Sequence, residues 1–188
     1  MIYHETLRVP VDRVGVIVGR NGKVKRRVEQ LTNTIIEVGS EGLVTITGSD
    51  STDDPVLAWK AKDIVRAMAR GFSPKNALGL IDEDARLIVI SLRESVGTSA
   101  NQLKRVAGRI IGESGRTRRV IEEITETKIA VYGRTVSIIG FDPGIDYAQR
   151  AVNMLIGGAP HSAVYSQLER MRRHMKRAQT ELWENTDL

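Results

Sequence analysis

Gly19-Arg20-Asn21-Gly22 recurs later in the chain as Gly112-Glu113-Ser114-Gly115, and its surroundings recur with it. At the same offset Lys25 meets Arg118, Arg26 meets Arg119, Val28 meets Ile121, Glu29 meets Glu122, Thr32 meets Thr125 and Val38 meets Val131. Further on the offset shrinks slightly, pairing Gly48 with Gly140, Asp54-Pro55 with Asp142-Pro143, and Ala61 and Val65 with Ala148 and Val152. An offset that changes only between elements is the mark of loop deletions in a tandem duplication, and a duplication requires the two halves to fold alike.

Each copy carries the same succession of periodicities. A short apolar strand, Thr6–Val9 or Leu87–Leu92, leads into an apolar helix, Val11–Val18 or Ala100–Ile111, which stops at the paired glycines. The next helix has its core face at Val24, Val28 and Leu31, matched by Thr117, Ile121 and Ile124, in the i, i+4, i+7 pattern of an amphipathic helix. Two β-branched runs follow, Thr34–Val38 and Leu43–Thr47 in one copy, Lys128–Val131 and Thr135–Ile139 in the other. Asp54-Pro55 and Asp142-Pro143 then have the form of an N-cap followed by a proline at the first helical position. The order is βααββα, twice, which predicts an α+β chain of two domains, each a three-stranded sheet backed by helices.

The expected boundaries are 1–72 for the first domain, 73–86 for a connecting helix and linker, 87–158 for the second domain and 159–188 for an added C-terminal helix. That helix has apolar residues at Val164, Leu168, Met171, Met175, Ala178 and Leu182, a narrow seam that suits docking on the second domain or on a partner. Docking on its own domain is the expectation.

Charge indicates the kind of partner. The net charge is only +5, but Arg20, Lys23, Lys25, Arg26 and Arg27 cluster between Gly19 and Val28 without an acid. Between Lys104 and Arg119, the bases Lys104, Arg105, Arg109, Arg116, Arg118 and Arg119 face one acid, Glu113. Local positive stretches of this kind suit a polyanion. With no cysteine, neither a disulfide scaffold nor a Cys-based zinc site is available. No apolar run approaches the ~20 residues of a membrane span, and the N-terminus lacks a signal pattern, so the expected location is the cytoplasm.

Enzymatic readings fail on spacing. A phosphate loop requires Gly-x-x-x-x-Gly-Lys-Ser/Thr. Here Ile17 stands at the first glycine and Val24 at the hydroxyl, and in the second copy Ile110 and Arg116 replace the first glycine and the lysine. His4, His161 and His174 are scattered, and Asp82, Glu83 and Asp84 form a charged loop rather than a metal cluster. No cofactor is expected and no catalytic residue is assigned.

The residues Val16-Ile17-Val18-Gly19-Arg20-Asn21-Gly22-Lys23-Val24-Lys25, continuing to Thr32-Asn33-Thr34-Ile35-Ile36, closely resemble the core motif of eukaryotic-type (type I) KH domains. Ile110-Ile111-Gly112-Glu113-Ser114-Gly115-Arg116-Thr117-Arg118 resembles a second core. The whole chain, through Gly158-Ala159-Pro160 and the Tyr165–Arg173 helix, is similar to the archaeal form of the partner-of-Nob-one (Dim-two) family of ribosome-assembly factors. Both glycine pairs are intact here, whereas eukaryotic members keep only the second.

The resemblance implies single-stranded RNA binding at the 3′ region of immature small-subunit ribosomal RNA, beside a Nob-type endonuclease. The broader alternatives are a general KH-type RNA-binding or adaptor protein in RNA processing or translation, and a nucleotide-binding enzyme. In KH domains the Gly-x-x-Gly loop clamps about four nucleotides. The expected backbone contacts are Gly19, Arg20, Asn21, Gly22, Lys23, Lys25 and Arg26, then Arg109, Gly112, Glu113, Ser114, Gly115, Arg116, Arg118 and Arg119. With two Trp, four Tyr and two Phe in the chain, and none in either glycine region, aromatic stacking platforms are not expected. The resemblance implies instead an aliphatic groove, here Val16, Ile17, Ile36, Val38, Ile110, Ile129 and Val131, with backbone groups of the second strand reading base edges.

Overall fold

The computed structural model describes residues 3–48 and 55–184, which fall into two compact units, 1–87 and 88–188. The first contains β1 (His4–Arg8), α1 (Val11–Val18), α2 (Lys23–Thr32), β2 (Thr34–Val38), β3 (Leu43–Gly48), α3 (Pro55–Ala69) and a short α4 (Pro74–Ala77). Then come β4 (Arg86–Ser91), α5 (Leu92–Val96), α6 (Ala100–Ile111), α7 (Arg116–Thr125), β5 (Lys128–Tyr132), β6 (Thr135–Gly140), α8 (Gly144–Ile156) and α9 (His161–Glu184). The sheets run β1-β3-β2 and β4-β6-β5, so the last strand of each copy is central and the middle one lies at an edge.

Burial alternates along β2 and shows which of its faces meets the helices. Thr34 and Ile36 are buried while Ile35 and Glu37 are exposed, with Ile36 opposite Ile46 and Val38 opposite Val44 on β3. The first core joins Ile17, Val28, Ile36, Val44 and Ile46 to Ala61, Ile64, Val65 and Met68 of α3. Ile110, Ile121, Ile129, Ile138, Ile145, Val152 and Leu155 do the same in the second unit.

The turn from the second helix into the edge strand is built identically in both copies. Asn33 and Glu126 end their helices in the left-handed region, at φ 50° and 55°. A buried threonine on each helix, Thr32 or Thr125, donates to the carbonyl of Val28 or Ile121 at 2.7 Å and meets the hydroxyl of Thr34 or Thr127. These hydroxyls would cost stability in an apolar core if left unpaired, and each is satisfied.

The connecting segment 73–86 packs on the first unit: Ala77, Leu80 and Ala85 are buried there, and Lys60 Nζ donates to the carbonyls of Asp82, Glu83 and Ala85. Three sequence expectations change. Leu92 does not end a strand but opens α5, buried, with its N–H on the Arg134 carbonyl and Ser91 Oγ capping Glu94 N. Pro143, after a cis Asp142-Pro143 bond, is the N-cap of α8 rather than its first helical residue. Gly144 takes that place because a Cβ there would overlap the Thr125 carbonyl oxygen. Pro55 does open α3, while Asp54 lies outside the described residues.

The third concerns Arg109, at the entry to α9. The seam of this helix docks on its own unit, as expected, with Val164 and Leu168 fully buried and Met171 nearly so. Arg109, expected to meet phosphate, instead donates from Nη2 to the Ala159 carbonyl at 2.6 Å at the entry to this helix. Its own carbonyl lies 2.9 Å from His161 Nε2. The side chains of Ala178 and Leu182 lie outside the described residues.

Candidate nucleic-acid interface

The two glycine loops match residue by residue in backbone conformation. Gly19 (φ 70°, ψ 172°), Asn21 (φ 54°, ψ 31°) and Gly22 (φ 71°, ψ 14°) correspond to Gly112 (φ 74°, ψ 175°), Ser114 (φ 49°, ψ 28°) and Gly115 (φ 76°, ψ 13°). Three positive φ angles in four residues explain the composition, since glycine reaches this region without steric cost and Asn tolerates it. At the first position glycine is also demanded by packing. A Cβ on Gly19 would overlap Val24, and one on Gly112 would overlap Thr117.

Each turn is closed by the same bonds. Gly19 N donates to Gly15 O at 2.9 Å and Gly22 N to Gly19 O at 3.1 Å; in the second copy Gly112 N meets Gly108 O at 2.8 Å and Gly115 N meets Gly112 O at 3.2 Å. Arg26 Nη2 donates to the Asn21 carbonyl at 2.6 Å, and Arg119 Nη2 to the Ser114 carbonyl at 3.0 Å. These two arginines therefore brace the loops as well as charging them. Among the described residues no side chain caps the first amides of α2 or α7, so the positive end of each helix dipole faces the loop.

The remaining cations divide by their surroundings. Arg20, Lys23 and Arg116 are exposed, with no intramolecular partner among the described residues. Lys25 is held by Glu29 at 2.7 Å, and Arg118 lies 4.0 Å from Glu122. Glu113 and Ser114 are exposed at the tip of the second loop.

The groove assignment is corrected at four positions. Ile17, Ile36, Ile110 and Ile129 are 1%, 1%, 0% and 3% exposed, so they are core and offer a base nothing to touch. Val16, Val38 and Val131 are half-buried and remain reachable, as does Ile111 beside Gly112.

Sequence reasoning passed over a further pair. Gly15 and Gly108 sit inside helices, one turn before each loop, where glycine costs about 0.5–1 kcal/mol relative to Ala. A Cβ at either would meet nothing. Their recurrence in both copies was the available signal. Packing does not require them, and what they leave is a bare strip of helix backbone leading to each loop.

Among the described residues, no group of three or more His, Asp or Glu could hold a metal ion, and no helix is long and apolar enough to cross a membrane.

A three-stranded sheet covered by helices, with a left-handed Gly-x-x-Gly turn between its first two helices, defines a type I KH domain, and the chain contains two. Residues 86–173 match the eukaryotic-type KH domain (type I) found as the second domain of Pno1, and residues 4–54 match the general KH domain. A KH domain-containing protein of Methanocaldococcus jannaschii is 45% identical over 95% of this chain and 78% of its own length. The pre-rRNA-processing protein pno1 of Emericella nidulans is 34% identical over 75% of this chain, which spans 55% of that longer protein. Among solved structures, the chain is similar to one from the a/eIF2alpha-aDim2p-rRNA complex of Pyrococcus horikoshii, with 42% identity, a TM-score of 0.86 and coverage of 92% and 96% of the two chains. A protein of unknown function from Aeropyrum pernix gives 40% identity, a TM-score of 0.92 and coverage of 98% and 99%. The chain belongs to the Dim2/Pno1-like family of two-KH-domain proteins.

Proposed function

We propose that this protein is a non-enzymatic RNA-binding factor that holds single-stranded RNA on its two Gly-x-x-Gly loops during maturation of small-subunit ribosomal RNA, at its 3′ region. One observation carries the reading. Two loops with diverged sequences keep the same strained backbone, the same uncapped helix end and the same arginine brace. A turn that packing alone required would not need exposed cations beside it, and Arg20, Lys23 and Arg116 are such cations. The pre-rRNA-processing relatives and the rRNA complex of the Pyrococcus protein support the RNA class, and the a/eIF2alpha in that complex supports a further protein contact. A Nob-type endonuclease is a second candidate partner.

Crosslinking followed by sequencing of the bound RNA tests the target. Reads should concentrate at the 3′ end of small-subunit rRNA; an even spread over unrelated transcripts overturns that part. Titration of single-stranded RNA at several salt concentrations tests the mechanism. Four phosphate contacts should give a log–log slope of about −3. A slope near zero would leave the loops without a role.

The bare helix strips yield a separate prediction. Gly15→Ala and Gly108→Ala should each raise stability by about 0.5–1 kcal/mol, because a helix-interior glycine is replaced where there is room. RNA affinity should fall severalfold at the same time, since the methyl group stands where the strand must approach. Thermal melting and fluorescence anisotropy on the same variants separate the two effects, and a gain in stability with unchanged affinity removes these glycines from the interface.

A further inference from the structure

In both units a glutamate from the helix behind the loop occupies the open edge of the adjacent strand. Among the described residues β2 is bonded to β3 alone and β5 to β6 alone, so each has one edge without a strand partner. On that edge the N–H of Ile36 donates to Glu29 Oε1 at 2.8 Å, and the N–H of Ile129 donates to Glu122 Oε1 at 2.7 Å. Glu29 Oε1 also accepts from Lys25 Nζ, while Glu122 Oε2 faces Arg118. The glutamate side chains remain 19% and 18% exposed, so part of each is reachable from solvent. Each sits on the helix that begins at the glycine loop, two turns along it, and so beside a strand whose phosphates lie on that loop.

We propose that Glu29 and Glu122 determine base specificity, selecting a guanine in the RNA bound at each loop. This rests on the RNA-binding reading above. An open strand edge normally offers a donor and an acceptor in alternation. Here the carboxylate consumes the donor and replaces it with acceptor oxygens, of which a carboxylate has about four lone-pair sites. A base approaching this edge must therefore bring hydrogens. Guanine alone carries two adjacent donors on its Watson–Crick edge, the ring N1–H and the exocyclic amino group, to fill the acceptor sites left open: those of Oε2 in Glu29, whose Oε1 already takes two donors, and those of both oxygens in Glu122. Cytosine and adenine place an acceptor next to their amino group, and uracil flanks its single N–H with two carbonyls, so each sets a lone pair against the negative oxygens. The strand N–H and the neighbouring Lys25 or Arg118 fix the carboxylate in orientation, making these residues specificity determinants rather than general phosphate contacts.

The test uses the full chain, a random-sequence decanucleotide RNA pool, and the variants Glu29→Gln, Glu122→Gln and their combination. Gln keeps an acceptor for the strand N–H but turns its amide N–H₂ toward the base. The intact protein should enrich guanine at a defined position for each loop. Replacing that guanine by inosine, which lacks only the amino group, should weaken binding about tenfold, the worth of one hydrogen bond to a charged group. The matching Gln variant should lose both the enrichment and the inosine penalty while holding a mixed pool within a fewfold of the original affinity. Guanine enrichment that persists in the double variant overturns the proposal, as does a uniform fall in affinity for every sequence, which is what a merely structural clasp would give. No binding of any RNA by the intact protein would instead sink the RNA-binding reading itself.

Discussion

Truncation after Pro160 is expected to unfold the second unit. Val164, Leu168 and Met171 of α9 are part of its core, packed with Ile121, Leu155 and their neighbours. Full burial of such side chains is worth about 1.5–3 kcal/mol each, so their removal withdraws about 5–9 kcal/mol before any other interaction is considered. A domain has about 5–15 kcal/mol in total. Two further ties go with the helix: the Tyr165 hydroxyl on Thr117 Oγ1 at 3.0 Å and the His161–Arg109 bond. Both anchor the helices on either side of the Gly112–Gly115 turn, so the second loop should lose its geometry with the fold.

Calorimetry should show one cooperative transition surviving, and amide exchange should assign it to residues of the first unit. The milder Leu168→Ala should lower stability by about 2–5 kcal/mol. A truncated chain that melts as the intact protein does would show α9 to be an appendage. For the same reason, removing this helix is no clean probe of a protein partner.

Replacing Arg20 and Asn21 together by Asp should cost about 10- to 100-fold in RNA affinity, the range set by losing one charged hydrogen bond and placing acids against phosphate. The fold should be unaffected. Both side chains are exposed, and Asp tolerates the φ of 54° at position 21 much as Asn does. Surface changes of this kind shift stability by no more than about 0.5 kcal/mol. The salt slope should shrink by about 0.7 for each phosphate that the variant no longer neutralises. Ser114→Asp is the corresponding change in the second loop, where Glu113 is already present. Loop two starts with an acid at its tip, so its contribution is expected to be the smaller, and comparing the two variants measures the difference. Equal affinity of the Arg20/Asn21 variant and the original at low salt, with melting unchanged, would remove loop one from the site.

Much of the fold was legible because duplication made each element appear twice. Helices Val11–Val18 and Ala100–Ile111 lie where the apolar periodicity placed them, and so do strands Thr34–Val38 and Lys128–Tyr132 to within a residue. Local chemistry sufficed there, since the period distinguishes helix from strand and the glycines punctuate. The groove was less legible. Alternation along Thr34–Val38 shows that the strand has two faces but not which is covered by helices, and Ile36 fell on the covered one. The same limit hid the role of Arg109, whose acceptor is the carbonyl of Ala159, far along the chain. Gly144 rather than Pro143 opens α8 because of one carbonyl, at Thr125, that no local pattern reveals.

The sequence by itself determined the duplication, the βααββα order, the position of both Gly-x-x-Gly turns and the basic character of their flanks. Those depend on composition and spacing within one element, where short-range sterics and periodicity dominate. Only the tertiary structure decided which cations stay free, which are spent on bracing the loops or pairing with Glu29 and Glu122, and that the strand edge beside each loop is an acceptor surface. These depend on hydrogen bonds that join one element to another. A side chain's electrostatic role is set by the partner that folding brings to it, and the linear order of residues does not name that partner.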